Sequence, residues 1–141
     1  MIGACEGSLD TLGLLIGDIR DEVQDRGESW TIAEILNHML ETELRYGTRV
    51  RRLRRERHPQ MRILPDGDYK KLTALMAWTD FYEARRANLR LFRELQPHDW
   101  QRSGTLTPIG RVTIESLVRH LAAHDSMHTA QIARRLSGRS N

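Results

Sequence analysis

Apolar residues recur at helical spacing in four stretches of this chain, separated by clusters of Gly, Pro and small polar residues. In the first stretch Leu9, Leu12, Leu15, Ile16, Ile19 and Val23 fall three or four positions apart. That spacing predicts a helix from about Ser8 to Asp25, with Ser8 or Asp10 as its cap. Gly13 and Gly17 lie within it, each costing about 1 kcal/mol relative to alanine, which close approach of a neighbouring helix would offset. Arg26-Gly27-Glu28-Ser29 reads as a turn. Thr31 and Glu34 have capping-box spacing, and Trp30 just before the cap is placed to staple onto Ile35. The helix they open runs to about Arg57, with Ile32, Ile35, Met39, Tyr46, Val50 and Leu53 as its inner stripe.

Pro59 and the Pro65-Asp66-Gly67 turn end this second helix and make a long connection. A third helix is predicted from about Asp68 to Gln96, where Pro97 stops it. Leu72, Leu75, Met76, Tyr82, Leu89, Phe92 and Leu95 are its expected inner face. Between Ser103 and Val112, Gly and Pro break the pattern, so a short extended loop or a hairpin is expected. The fourth helix starts with Thr113 as its cap, the Thr113–Ser116 pair reading as too weak for a capping box. It continues through Leu136, with Gly138 past its end. Four amphipathic segments must bury their stripes on one another. The expected fold is therefore all-α, a four-helix bundle over one domain, 1–141, whose long second connection allows helices two and three to run parallel.

Composition narrows the class. Apolar content of 39% and charged content of 29% are those of a globular domain, and no stretch approaches the roughly 20 apolar residues of a membrane span. The lone Cys5 excludes a disulfide scaffold. Ile2-Gly3-Ala4-Cys5 has the look of a lipoprotein cleavage box, but the apolar run of about 7–15 residues that a secretory signal needs does not precede it. A cytoplasmic protein is expected, with Cys5 in a frayed end.

The candidate chemistry lies in histidines. His120, His124 and His128 repeat at four-residue intervals on the fourth helix, so successive rings sit about 40° apart and about 6 Å along the axis. Two such imidazoles converge on one ion, as histidine pairs on zinc-protease helices do. Two ligands hold a metal poorly, and His38, beside the stripe of the second helix, offers a third. Three neutral imidazoles with an open fourth position describe a catalytic site for a divalent ion. Zinc or nickel comes first, with iron or manganese as alternatives. The competing reading of each ring is a hydrogen-bonded boundary histidine.

The stretch Trp30–Glu43 resembles the second-helix motif of the DinB-like (damage-inducible) family, and His120–Ile132 resembles its last-helix motif. Gly110 and Val112-Thr113-Ile114 fit the family's lead-in to that helix, and the order and spacing of segments match over essentially the whole chain. The resemblance implies a four-helix bundle of unusual connectivity whose divalent metal is held by His38, His124 and His128. It places His120 in the pocket or behind the ligands. It further implies a small-molecule substrate, with a low-molecular-weight thiol transferred to an electrophile as the first expectation and hydrolysis on the same site as the alternative. Homodimers are common in the family. One departure is a first segment shorter than the family's usual, which bears on a pocket wall or the dimer interface.

Around the histidines, Glu41 and Thr42 are placed to orient the ring of His38, and Gln131 that of His128. Asp125, a further 100° around the helix from His124, is expected to face away. No catalytic acid or base is singled out. A rival class rests on arginine: residues 45–62 hold eight arginines against Glu56 alone, within a chain whose net charge is only +3. Arg45, Arg49 and Arg52 share one helix face. Aromatic interleaving and reader motifs are absent, so nucleic acid is not expected; a solvated face, or recognition of an anionic cosubstrate, fits better. A non-enzymatic, stress-related bundle without metal is the remaining alternative.

Overall fold

The computed structural model describes residues 1–16 and 30–138. Four helices, α1 (Ile2–Ile16), α2 (Ile32–Arg55), α3 (Ala74–Glu94) and α4 (Ile114–Gly138), form the bundle. A small sheet of β1 (Gln60–Arg62), β2 (Ser103–Thr107) and β3 (Gly110–Thr113) is attached to it, and a 3₁₀ turn spans Pro97–Gln101. No described helix is long and apolar enough to cross a membrane.

α1 begins earlier than expected. Ser8 is an interior residue whose hydroxyl donates to the Ala4 carbonyl, so neither it nor Asp10 caps the helix. Cys5 is fully buried among Leu9, Leu12 and Ile16, not frayed, because its turn of helix packs into the core. The parts of the first segment that carry Ile19, Val23, Gly17 and the Arg26–Ser29 turn lie outside the described residues.

The start of α2 is as read. Thr31 accepts from the Glu34 amide at 3.1 Å while Glu34 accepts from the Thr31 amide at 3.3 Å, satisfying donors that the first turn leaves open. Its whole expected stripe is buried. α2 ends at Arg55, two residues short of the expected end, with Glu56 as its C-cap.

α3 starts later, and its first turn faces otherwise than expected, while Leu89, Phe92 and Leu95 are buried as expected. Asp68 closes a local turn by accepting from the Lys70 amide, and Thr73 caps the helix by accepting from the Met76 amide. That cap turns Leu75 and Met76 outward, 51% and 53% exposed, against expectation. The inner face is Ala74, Ala77, Phe81, Arg85, Asn88, Leu89 and Phe92. It includes two polar residues that a hydrophobic pattern counts as surface.

At α4 the Thr113–Ser116 pair, read as too weak, makes reciprocal bonds of 2.9 and 3.0 Å between each hydroxyl and the other's amide. The 103–112 region is a hairpin, β2 antiparallel to β3, turning through a cis Thr107–Pro108 bond and Gly110 at φ 110°. Only glycine adopts that φ freely. The long connection 56–73 contributes β1, which pairs in parallel with β2. Three residues with a single buried side chain, Met61, gave too short an alternation to be read as a strand.

α2 and α3 run parallel. Asn37 clasps Leu72 at one end, donating to its carbonyl at 2.9 Å and accepting from its amide at 3.2 Å; Arg54 pairs with Glu94 at the other. α4 lies antiparallel to α2, with Tyr46 beside His120 and His38 beside His124. Close approach of α2 and α3 depends on Gly47, where a Cβ would lie 2.4 Å from the Asn88 side-chain oxygen.

Inside the bundle sits a polar cluster that hydrophobic periodicity does not reveal. Arg85, fully buried, donates two bonds of 2.8 Å to the Glu43 carboxylate, one of 2.6 Å to Asp125 and one of 2.9 Å to the Cys5 carbonyl. Asn88 donates to both the Glu43 carbonyl and its carboxylate. One guanidinium thus touches all four helices. Replacing Arg85 with Met leaves two buried carboxylates without their counter-charge, and such a loss costs about 3–5 kcal/mol. Urea unfolding of Arg85→Met measures it; a loss below about 1 kcal/mol would mean that the cluster does not hold the helices together.

Candidate metal centre

Residues from two antiparallel helices meet at one point. His38, carried on α2 one position after the Asn37 clasp, brings its Nε2 to 2.8 Å from Nε2 of His124 on α4. His128, one turn further along α4, places Nε2 at 3.2 Å from the same atom. The ligand atoms of all three lie within 4.8 Å of one another and could hold an ion. The fold therefore unites the three rings that the family resemblance selects.

Hydrogen bonding gives one tautomer. His128 Nδ1 lies 2.8 Å from Gln131 Oε1. An amide oxygen only accepts, so Nδ1 carries the hydrogen and Nε2 presents a lone pair to the cluster. Gln131 is thus hydrogen-bonded to the His128 ring. A neutral His124 has at most a single Nε2 hydrogen, too few to bridge to both neighbours. Extra protons do not fill the gap either. Burial above all, then the neighbouring His128 and His38, hold His124 down at about 3. His38 and His128 are also lowered, each chiefly by burial. A convergent set of nitrogen lone pairs that resists protonation is the chemistry of a metal-ligand set. Zinc–nitrogen bonds of about 2.0–2.1 Å at tetrahedral angles put donor nitrogens about 3.3 Å apart, close to the His124–His128 spacing.

The second layer differs in part from the reading of the sequence. Glu41 does not orient His38: its carboxylate pairs with Arg45 at 2.7 Å and accepts from the Gly67 amide. Thr42 lines the adjoining cavity, and His38 Nδ1 is buried without a hydrogen-bond partner among the described residues. Aromatic rings hold His38 instead. Trp30, expected against Ile35, has its ring centroid 4.9 Å from that of His38 and stacks towards His128 at 6.4 Å. Tyr69, from the 56–73 connection, meets His38 edge-on at 5.1 Å. Tyr69 lies in a stretch read as helix, and nothing in its local sequence pointed to the site.

His120 stands outside the trio. Its Nδ1 is 2.5 Å from the Tyr46 hydroxyl, and both residues line a cavity of about 450 Å³ that opens onto His124. Asp125 points away from the cluster into the Arg85 network; burial is the main cause of its rise to about 6. A larger groove of about 580 Å³ lies on the far side of Arg45 and Arg49, and no histidine lines it. The arginine-rich half of α2 is not one free cationic face, since Arg45, Arg52 and Arg54 are paired with Glu41, Glu56 and Glu94.

With the bundle and this histidine cluster in view, the comparisons with known proteins agree. The model of the DinB superfamily matches residues 20–132. The chain belongs to that superfamily. Among solved structures it is similar to YfiT from Bacillus subtilis, described as a probable metal-dependent hydrolase with an unusual four-helix bundle topology. That likeness has a TM-score of 0.70 at 17% identity, covering 96% of this chain and 85% of the other. No match was found among curated proteins.

The lowered histidines set the pH response of the metal-free protein. The unfolded chain takes up protons near the usual histidine value of 6.5, whereas folded His124 does so only near 3. Stability is therefore present above 6.5 and is lost as pH falls towards 3. Asp125, raised, works in the opposite sense between 3.8 and about 6, a smaller displacement than that of His124. Urea midpoints in chelator should fall from pH 7 to pH 4, and His124→Ala should flatten the slope. An unchanged slope in that variant would contradict the assignment.

Proposed function

We propose that this chain is a metal-dependent enzyme that holds a divalent ion through His38, His124 and His128 and transfers a low-molecular-weight thiol to an electrophilic small molecule. The convergence of three imidazole nitrogens from α2 and α4 carries the reading. A divalent ion at that point supplies Lewis acidity that lowers the pKa of a thiol or water sharing it.

The chain's own groups do the rest. The three neutral rings leave the ion's full charge available to a reactant, and Gln131 keeps His128 in the donating tautomer. Trp30 and Tyr69 fence one side of His38 from water. The reactants enter from the other side, through the cavity that His124 lines. That lining contains no carboxylate, and a thiol of lowered pKa needs no such base to become a nucleophile. In the transfer a sulfur–carbon bond forms, the bond from carbon to the leaving group breaks with its electron pair, and the thiol proton passes to solvent.

Hydrolysis is the second reading. It is favoured by what is said of the Bacillus subtilis neighbour and by the Tyr46–His120 pair in the cavity wall, a group able to take a proton from water.

Protein loaded with zinc or nickel should retain about one ion per chain, and alanine at His38, His124 or His128 should abolish retention, as read by metal analysis. The loaded protein should accelerate the reaction of cysteine with 1-chloro-2,4-dinitrobenzene, and chelation should remove the acceleration. Acceleration of 4-nitrophenyl acetate hydrolysis alone would select the second reading. Transfer that survives complete metal removal would overturn both.

A further inference from the structure

The cavity beside His124 has an unusual charge inventory. Its wall carries Arg45, Arg49 and Arg111 and no acidic residue. The three arginines are not equivalent. Arg45 is neutralised by Glu41 and tied down by the Leu64 and Pro65 carbonyls. Arg49 has neither an ion pair nor a hydrogen bond among the described residues; its guanidinium lies 5.3 Å over the Tyr46 ring. Burial above all, with Arg45 adding to it, makes that charge costly and lowers its pKa. Arg111 comes from β3, on the sheet side of the cavity; its side chain is exposed and makes no ion pair or hydrogen bond among the described residues.

A half-buried guanidinium without an anion is an open charge, and a second one faces the same space from a different element. The rest of the wall mixes apolar Ile63, Leu106, Ile109, Val112 and Leu117 with uncharged polar groups and the rings of His120 and His124. Guanidinium forks match carboxylates in shape and charge, and a cavity of about 450 Å³ is of small-ligand size.

We propose that Arg49 and Arg111 form an anion subsite that selects a substrate carrying a carboxylate on an apolar body, seated with its far end against His124. The identification of the subsite with substrate rests on the metal-dependent reading above; the binding itself does not. Tyr46 has a positioning role, holding the Arg49 guanidinium by its ring face while its hydroxyl engages His120. The arginine run noted in the sequence thereby divides. Arg49 points into a cavity, Arg52 and Arg54 make surface pairs, and Arg51, Arg55 and Arg57 are exposed.

The test uses the full chain stripped of metal, with 4-phenylbutyrate and its neutral amide, 4-phenylbutyramide, as probes in calorimetric titration. The carboxylate should bind at least about tenfold more tightly than the amide, the scale of one hydrogen-bonded charge. Arg49→Ala and Arg111→Ala should each erase most of that preference while leaving amide binding unchanged, and Arg49→Lys should retain part of it. Arg51→Ala, on the exposed face, should change nothing. Equal binding of the two probes, or equal weakening by Arg51→Ala and Arg49→Ala, would overturn the subsite. Because the protein is metal-free, either result leaves metal retention by the three histidines separately readable.

Discussion

One buried guanidinium determines how the helices face one another. Arg85 reaches from α3 to Glu43 on α2, Asp125 on α4 and the Cys5 carbonyl on α1. In a low-dielectric interior such groups are expensive to bury and tolerable only when every donor and acceptor meets a partner. That requirement specifies an arrangement as apolar contacts alone do not, since leucines pack acceptably in many rotations. Glu43 lies on α2 beyond His38, and Asp125 is the immediate neighbour of His124. The network that orients α2 and α4 about Arg85 also presents the two histidine-bearing faces to each other.

A second constraint acts at the edge of the cluster. The Asn37 amide takes the place of a backbone partner for Leu72, which holds the start of α3 beside α2 and forces the parallel course that the long connection permits. The same connection delivers Tyr69 against His38 and β1 against the hairpin. What looks like a mere linker is thus part of both the site wall and the sheet.

The sequence was most legible where local chemistry is strong. The Thr31–Glu34 box, the α2 stripe and the four-residue repeat of His120, His124 and His128 are all short-range patterns, and each locates its element. It was least legible where tertiary contacts overrule pattern. α3 hides Arg85 and Asn88 on its inner face and turns Leu75 and Met76 out, so a rule that equates polar with exposed misreads those positions. Nearness to the terminus suggests a frayed Cys5 but says nothing about packing, and the residue is buried. One-turn proximity to His38 points to Glu41, but an arginine four residues on competes better for a carboxylate than a buried imidazole does. Of the rings that flank His38, Trp30 stands just before the same helix, whereas Tyr69 comes from a connection distant in sequence that no local pattern links to the site.

The convergence of His38, His124 and His128 remains the point from which the chemistry follows, because a surplus of nitrogen lone pairs in a partly buried site calls for a cation other than the proton. X-ray absorption at the metal edge of zinc-loaded protein addresses it directly. Three imidazole nitrogens at about 2.0–2.1 Å are expected, with no retained zinc in His38→Ala treated in the same way. A first shell dominated by sulfur or carboxylate oxygen, or zinc retained in an unchanged first shell by His38→Ala, would contradict it.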